Sequence, residues 1–171
     1  MKLVKFALLS LLVLFLVLTC LSFLFPSHLR VARVINVAAS RERVINTVGD
    51  FNSWKDWNRF LSANTLSNVH ISSPSGGKGA VLRSDELTIR ETAVDSDGVS
   101  LHWSLKGGKE VEGGFRVGTS NRGSLAVLWY FDLHFRWYPW EKLGVFVYDR
   151  KLGPAMEESL DGLKQFVESS R

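Results

Sequence analysis

The sequence predicts an α+β protein: a curved antiparallel six-stranded sheet wrapped around one long C-terminal helix, preceded by a single transmembrane helix. Three observations carry this. Residues 6–25 form an uninterrupted apolar run. Between residues 80 and 135, alternating segments rich in β-branched and aromatic residues follow one another across short polar turns. From Leu152 to Val167 an apolar residue returns with the period of a helix.

The anchor comes first in the chain. Phe6 to Phe25 carries no charge, and its polar residues, Ser10, Thr19 and Ser22, are small. As a helix rising 1.5 Å per residue it would span about 30 Å, the hydrocarbon thickness of a bilayer. A cleaved signal has a core of about 7–15 residues followed by small residues. This run is longer and ends in Phe23-Leu24-Phe25-Pro26, so a retained anchor is expected. Cys20 invites comparison with acylated lipoproteins. Thr19 stands where a smaller residue is expected and the apolar run continues to Phe25, so a cysteine within a membrane helix is the better reading. The layout is a tail at 1–5, an anchor at 6–25 meeting the lipid bilayer, and a folded domain at 30–171. Lys2 and Lys5 lie before the anchor and Arg30, Arg33, Arg41 and Arg43 after it, so charge alone does not orient it. The short leading tail favours a signal-anchor. The expected setting is a bacterial inner membrane with the domain on the non-cytoplasmic side.

Charge and cysteine usage remove other classes. With Lys2 and Lys5 set aside, 19 of the 21 Lys and Arg residues accompany 17 Asp and Glu, with no basic cluster of the kind a nucleic-acid arm needs. A single cysteine permits neither an internal disulfide nor a cysteine-based metal site. No cofactor and no metal ligand set is read from the sequence. Oligomeric state is not encoded in any pattern found.

The domain's elements follow in order. Val31 to Ala39 alternates and reads as a first strand. Ser40 is an N-cap with Arg43 where a capping box would place Glu. Val44, Ile45, Val48, Phe51, Trp54 and Trp57 have helical spacing broken by Gly49, giving short helices near 41–49 and 51–57. Residues 62–79, rich in Ser, Asn, Gly and Pro, form a long loop with a hint of strand at Val69–Ile71. Strands are expected over Ala80–Arg83, Leu87–Val94, Val99–Leu105, Val111–Val117 and Ser124–Phe135, joined as a meander. Leu152, Met156, Leu160, Leu163 and Val167 make the apolar stripe of the last helix, where Gly153-Pro154 marks a kink or a fresh start.

Alternation assigns faces. Val99, Leu101, Trp103 and Leu105 share one side, as do Val111, Gly113, Phe115 and Val117, and Leu125, Val127, Trp129, Phe131, Leu133 and Phe135. Ile35 and Val37 continue the set. No ionisable cluster is expected inward, Arg33 at a strand end excepted. Such a face is what a packed core shows, and it is also what an aromatic-lined pocket shows. The residues placed to touch an apolar ligand are Ile35, Val37, Trp57, Leu101, Trp103, Phe115, Val117, Trp129, Phe131, Met156, Leu160 and Leu163. Trp54 and Trp57 are expected at the sheet edge near the pocket mouth.

The stretch Arg33-Val34-Ile35-Asn36-Val37-Ala38-Ala39, then Val44, then Asp50-Phe51-Asn52-Ser53-Trp54-Lys55-Asp56-Trp57-Asn58, resembles the polyketide cyclase/dehydrase branch of the START-like (SRPBCC) superfamily. The finish Leu160-Asp161-Gly162-Leu163-Lys164-Gln165-Phe166-Val167-Glu168 and the anchor end Phe25-Pro26-Ser27-His28 are similar to it too. The resemblance implies a helix-grip fold with a hydrophobic tunnel for lipids, sterols, quinones, polyketides or hormones. It gives the pocket reading more weight than alternation alone does. Two departures are Gly123-Ser124-Leu125-Ala126-Val127-Leu128-Trp129, which fits the family's sixth-strand pattern only with a one-residue slip, and Ser159 where glycine is common. No catalytic motif carries over, so no catalytic residue is assigned.

Other features have plainer readings. Asp132 and His134 share a strand face where a carboxylate could orient an imidazole, but on the side expected to meet solvent, with His102 a strand away. Gly76-Gly77-Lys78-Gly79 lacks P-loop spacing and is a flexible loop. Trp137-Tyr138-Pro139-Trp140 suits a bilayer interface or a lipid portal, and equally the closed end of a core. The sequence thus leads to a membrane-anchored binding module for a small apolar ligand. One alternative is a cyclase-, dehydratase- or hydrolase-type enzyme, for which Arg33, Tyr130 or Glu91 would have to turn inward. Another is an interaction scaffold using the apolar outer residues Ala126, Leu128 and Tyr130.

Overall fold

A computed structural model describes residues 2–22, 27–62, 66–120, 123–135 and 145–169. The Trp137–Trp140 patch lies outside them. Helix α1 (Lys2–Ser22) begins before the expected anchor, and its window Leu3–Cys20 has a mean hydropathy of 2.6 with nothing buried against the domain. Both a membrane span and a signal sequence have this form. Within it the Thr19 hydroxyl donates to the Phe15 carbonyl at 2.7 Å, so this polar group is satisfied inside the helix.

Strand β1 (His28–Val37) leads into helix α2 (Arg41–Val48), then the short turns α3 (Trp54–Trp57) and α4 (Arg59–Ser62). Ser40 caps α2 as expected, its Oγ accepting from the Arg43 N–H at 3.3 Å. Strands β2 (His70–Ile71), β3 (Val81–Arg83), β4 (Leu87–Asp95), β5 (Gly98–Leu105), β6 (Lys109–Thr119) and β7 (Leu125–His134) follow, and helix α5 (Val145–Ser169) closes the chain. The sheet has seven strands in the order β1-β7-β6-β5-β4-β3-β2, every pair antiparallel. The strand beyond the expected six is β2. Two residues are too few to show alternation, and only pairing with Arg83 and Leu82 defines them. The loop is further tied by a bridge between Asp50 and Gly76.

Helix α5 runs through Pro154 without a break. Proline removes one backbone hydrogen bond, but apolar residues on both sides of it, Leu152 before and Met156 and Leu160 after, hold the helix on the sheet. Its strongest packing is along β1. Arg33 is not at a strand end. It sits mid-strand on the inner side, donating from Nε to Glu157 at 2.6 Å and from Nη2 to Asp149 at 3.0 Å. Asp149, Gly153 and Glu157 are spaced i, i+4, i+8 on one helix face, and a Cβ at Gly153 would collide with the guanidinium. Arg33 therefore crosses α5 where the helix has no side chain.

Ser159, the departure from the usual glycine, is fully buried and wired in. Its hydroxyl accepts from the Arg59 N–H at 2.9 Å and donates to the Ala155 carbonyl at 2.6 Å. One turn on, Gly162 presses on α3, where a Cβ would stand 2.6 Å from the Trp57 carbonyl oxygen. Gly162→Ala should overpack this contact and lower unfolding stability by about 1–3 kcal/mol. Thermal melting of the detergent-solubilised chain measures it; an unchanged melting temperature would mean that α3 yields freely.

Candidate functional site

The inner face of β5, β6 and β7 meets α3, α4 and α5 in a chain of aromatic rings. Trp54 is fully buried over β5 and β6, 6.0 Å from both Trp103 and Phe115, and its Nε1–H donates to the Val48 carbonyl at 2.9 Å. Trp57 lies 5.9 Å from Phe115. Both tryptophans thus lie over the sheet's middle strands rather than at its edge. Phe115 stacks on Trp129 at 5.0 Å, Phe131 meets Trp103 edge-on at 5.1 Å, and Phe60 caps Trp129 at 5.6 Å. Of the twelve residues expected to touch a ligand, Val37, Trp57, Leu101, Trp103, Phe115, Val117, Trp129, Phe131, Met156, Leu160 and Leu163 are buried in this single core, with Ile35 packed half-buried beside them. The rings touch one another, so they form one continuous aromatic stack across the inner face.

Polar atoms in this interior are incompletely satisfied. Among the described residues the Trp103 Nε1–H, the Trp129 Nε1–H and the Asn58 Nδ2 find no hydrogen-bond partner, although their own residues are almost wholly buried. Asn58 uses its Oδ1 to accept from the Phe60 N–H at 3.0 Å, which leaves the amide nitrogen idle. Leaving such donors dry costs about 1–3 kcal/mol each, a cost that an oxygen acceptor placed beside them would relieve.

One carboxylic acid shares the interior, contrary to the expectation that no acid faced inward. Glu91 pairs with inward Leu101 and is 1% exposed, and neither carboxyl oxygen has a hydrogen-bond partner. It lies under the C-terminus of α2, where a Cβ on Gly49 would come within 3.2 Å of its Oε1. Burial pushes its pKa up to about 7, with nearby Asp50 adding to the rise; the Gly77 N–H pulls the other way without a well-formed hydrogen bond. The carbonyl end of a helix disfavours an anion too. Near neutrality Glu91 can therefore hold or release a proton. The sequence signal was present: Glu91 shares parity with Leu87 and Ile89 on β4.

Asp132 and His134 are on the outer face as expected, but Asp132 is buried rather than solvated. Arg30 grips it with two 2.7 Å hydrogen bonds, and His28 stands 3.5 Å away. The Arg30 hydrogen bond holds its carboxyl below the usual range. Tyr130 also faces outward, beneath the Arg30 guanidinium at 4.8 Å. His102 approaches Glu110 at 3.8 Å instead of joining them. Among the described residues no group of three His, Cys, Asp or Glu could hold a metal ion.

Clefts open at both ends of the sheet–helix sandwich, and one of about 660 Å³ lies beside α2, lined by Ser40, Glu42, Arg43, Asn46, Asp50 and Phe166. Of the two end clefts, one of about 380 Å³ lies where β1 ends and β7 begins, lined by Val37, Ser40, Arg43, Leu125 and Val167. The other, of about 590 Å³, is bounded by the Gly107–Gly108 turn, Lys109, His134, Phe135 and Tyr148.

Residues 28–168 match the family described as polyketide cyclase / dehydrase and lipid transport. No curated protein matches the sequence. Among solved structures the chain is similar to a protein of unknown function, SA2116 from Staphylococcus aureus, with TM-score 0.63 and 15% identity over 84% of this chain and 95% of that one. It is similar to truncated norcoclaurine synthase from Thalictrum flavum, with TM-score 0.57 and 15% identity over 84% and 96%. It is also similar to DynU16 of the dynemicin biosynthetic locus, with TM-score 0.57 and 17% identity over 83% of this chain but 48% of that one, so it spans about half of DynU16. These likenesses establish the helix-grip fold.

The raised pKa of Glu91 has a measurable consequence. Between its ordinary value of 4.5 and about 7 the folded chain holds a proton that the unfolded chain has released. Stability from the neutral acid is complete below that window and is lost as pH rises through it. Urea unfolding from pH 4 to 8 should show this decline, and Glu91→Gln should flatten it. Equal slopes in the two proteins would place Glu91 in a wetter setting.

Proposed function

The chain belongs to the polyketide cyclase / dehydrase and lipid transport family, and we propose that it is a membrane-anchored binding module for a small, largely apolar ligand held between the sheet and α5. The ligand carries at least one hydrogen-bond-accepting oxygen, as a quinone, an oxygenated lipid or a polyketide does. The observation that carries this is the set of three buried donors without partners, at Asn58, Trp103 and Trp129, inside an otherwise aromatic interior. Apolar area supplies the affinity: burying about 250 Å² would give roughly 6 kcal/mol before ordering costs. The donors supply orientation. The twelve inner residues named from the sequence are the proposed lining, and α1 is the proposed single-pass anchor of a domain on the non-cytoplasmic side.

A second reading is favoured by one observation, the inward Glu91 with a pKa of about 7. A cyclase- or dehydratase-type reaction on a hydrophobic substrate needs an acid or base poised at working pH. Norcoclaurine synthase, by its name an enzyme, shares the fold. Glu91→Gln would abolish turnover of such a substrate while leaving its binding intact.

Native mass spectrometry of the intact chain, extracted from its own membranes, should find a bound small molecule. The double variant Trp103→Phe/Trp129→Phe keeps the rings but removes both N–H donors. Its affinity for a ubiquinone analogue should fall by about tenfold, at roughly 0.5–1.5 kcal/mol per hydrogen bond, with little change for a hydrocarbon probe of equal length. A chain that always emerges empty and takes up neither probe would refute the binding role.

A further inference from the structure

The cleft at Lys109 lies at the end of the domain that is tied to the anchor. Helix α1 ends at Ser22, and the Ser27 carbonyl already accepts from the Phe135 N–H at 2.8 Å. Five residues of chain reach at most about 18 Å, so Ser27 is held within that span of the helix end, with Phe135 one hydrogen bond beyond it. The other cleft lies at the far end of β1, whose ten residues place it about 33 Å further on. A further cleft beside α2, lined by Ser40, Glu42, Arg43 and Phe166, also begins past the far end of β1; of these three openings the first lies nearest along the chain to α1.

Its chemistry suits that place. The Lys109 ammonium donates to the Tyr148 hydroxyl at 2.6 Å and sits over two rings, 4.2 Å from the centre of Tyr148 and 5.2 Å from that of Phe135. Among the described residues no carboxylate reaches it. Glu110 turns toward His102, Asp149 is taken by Arg33, and Asp132 by Arg30. An ammonium has three donors, and one is spent on Tyr148. What remains is a cation fixed on an aromatic shelf, with charge to spare for an anionic oxygen and an apolar floor beside it.

We propose that this cleft is the bilayer-facing port of the domain, and that Lys109 receives the phosphate of an anionic phospholipid from the membrane in which the chain is anchored. The headgroup would rest on Lys109 while the apolar rings of Phe135 and Tyr148 meet the upper acyl chain. An ammonium recognises phosphate as a point charge without demanding one geometry, which suits a port more than a tight site. The inference rests on the anchored, apolar-ligand reading above and adds to it a route and a headgroup class.

The test uses the intact chain in vesicles of phosphatidylcholine with and without phosphatidylglycerol. A photo-crosslinking residue replaces either Glu110 at this cleft or Ser124 at the far one. Phosphatidylglycerol should be captured at position 110 and not at 124. Lys109→Gln should cut capture by about fivefold, the weight of one cationic side chain at an anionic surface, and Lys109→Arg should restore it. Circular dichroism of each variant confirms folding, and the Arg variant still decides the matter if the Gln variant fails to fold. Equal capture at both positions, no capture at 110, or indifference to Lys109→Gln would overturn the port. If the apolar probes bind but capture at 110 is absent, the port fails alone; if capture persists while no apolar probe binds, the binding role fails alone.

Discussion

Everything in the domain depends on α5 lying along the concave side of the sheet, and a single guanidinium fixes how it lies. Arg33 leaves β1 on the inner side and reaches carboxylates one helical turn before and after Gly153. The bare backbone at Gly153 gives the guanidinium room to lie across the helix there. Both carboxylates are more than half exposed, so the pairs add little to net stability. Their value is geometric. Apolar stripes slide and rotate on one another with small penalties, whereas a fork held on two sides fixes both the axial position and the rotation of the helix. The stripe of Met156, Leu160, Leu163 and Val167 then falls on the rings below it.

That register produces an interior of two kinds. Its area is aromatic and closely packed, ring against ring. Its polar content is small, buried and incompletely paired: three N–H donors and one carboxyl. Hydrophobic packing explains the first and leaves the second costly. A partner that brings oxygen atoms into the stack removes that cost, which is why the unpaired donors weigh more than cavity volume in reading this molecule.

Much of this was legible in the sequence, for identifiable reasons. Alternation placed the inner residues of β5, β6 and β7 in the core because those strands are long and one-sided, Leu105 at the exposed end of β5 excepted. It failed where an inward position is not apolar. Glu91 and Arg33 obey the parity of their neighbours, yet a charged residue reads as solvent-facing by habit. Asp132 misled in the opposite sense: its parity is outward, but Arg30 from the adjacent strand covers it, and cross-strand partners are invisible without register. Strand β2 is defined by pairing alone. The helix through Pro154 survived because tertiary packing on both sides outweighs one lost hydrogen bond. Trp54 and Trp57 were seen as a pair, but their place over the middle of the sheet follows from how α3 packs against α5, including the bare backbone of Gly162, and no local pattern announces it.

Strand β1 lies at the edge of the sheet and is also the element that follows α1. Its ten residues pair one for one with β7 from His28 to Val37. A pull on α1 against the far end of the domain would run along this ladder, not across it. The rungs are loaded in shear and share the pull, instead of opening one after another like a zipper. A pull through α1 would therefore strain the sheet as a whole before it could peel one strand away.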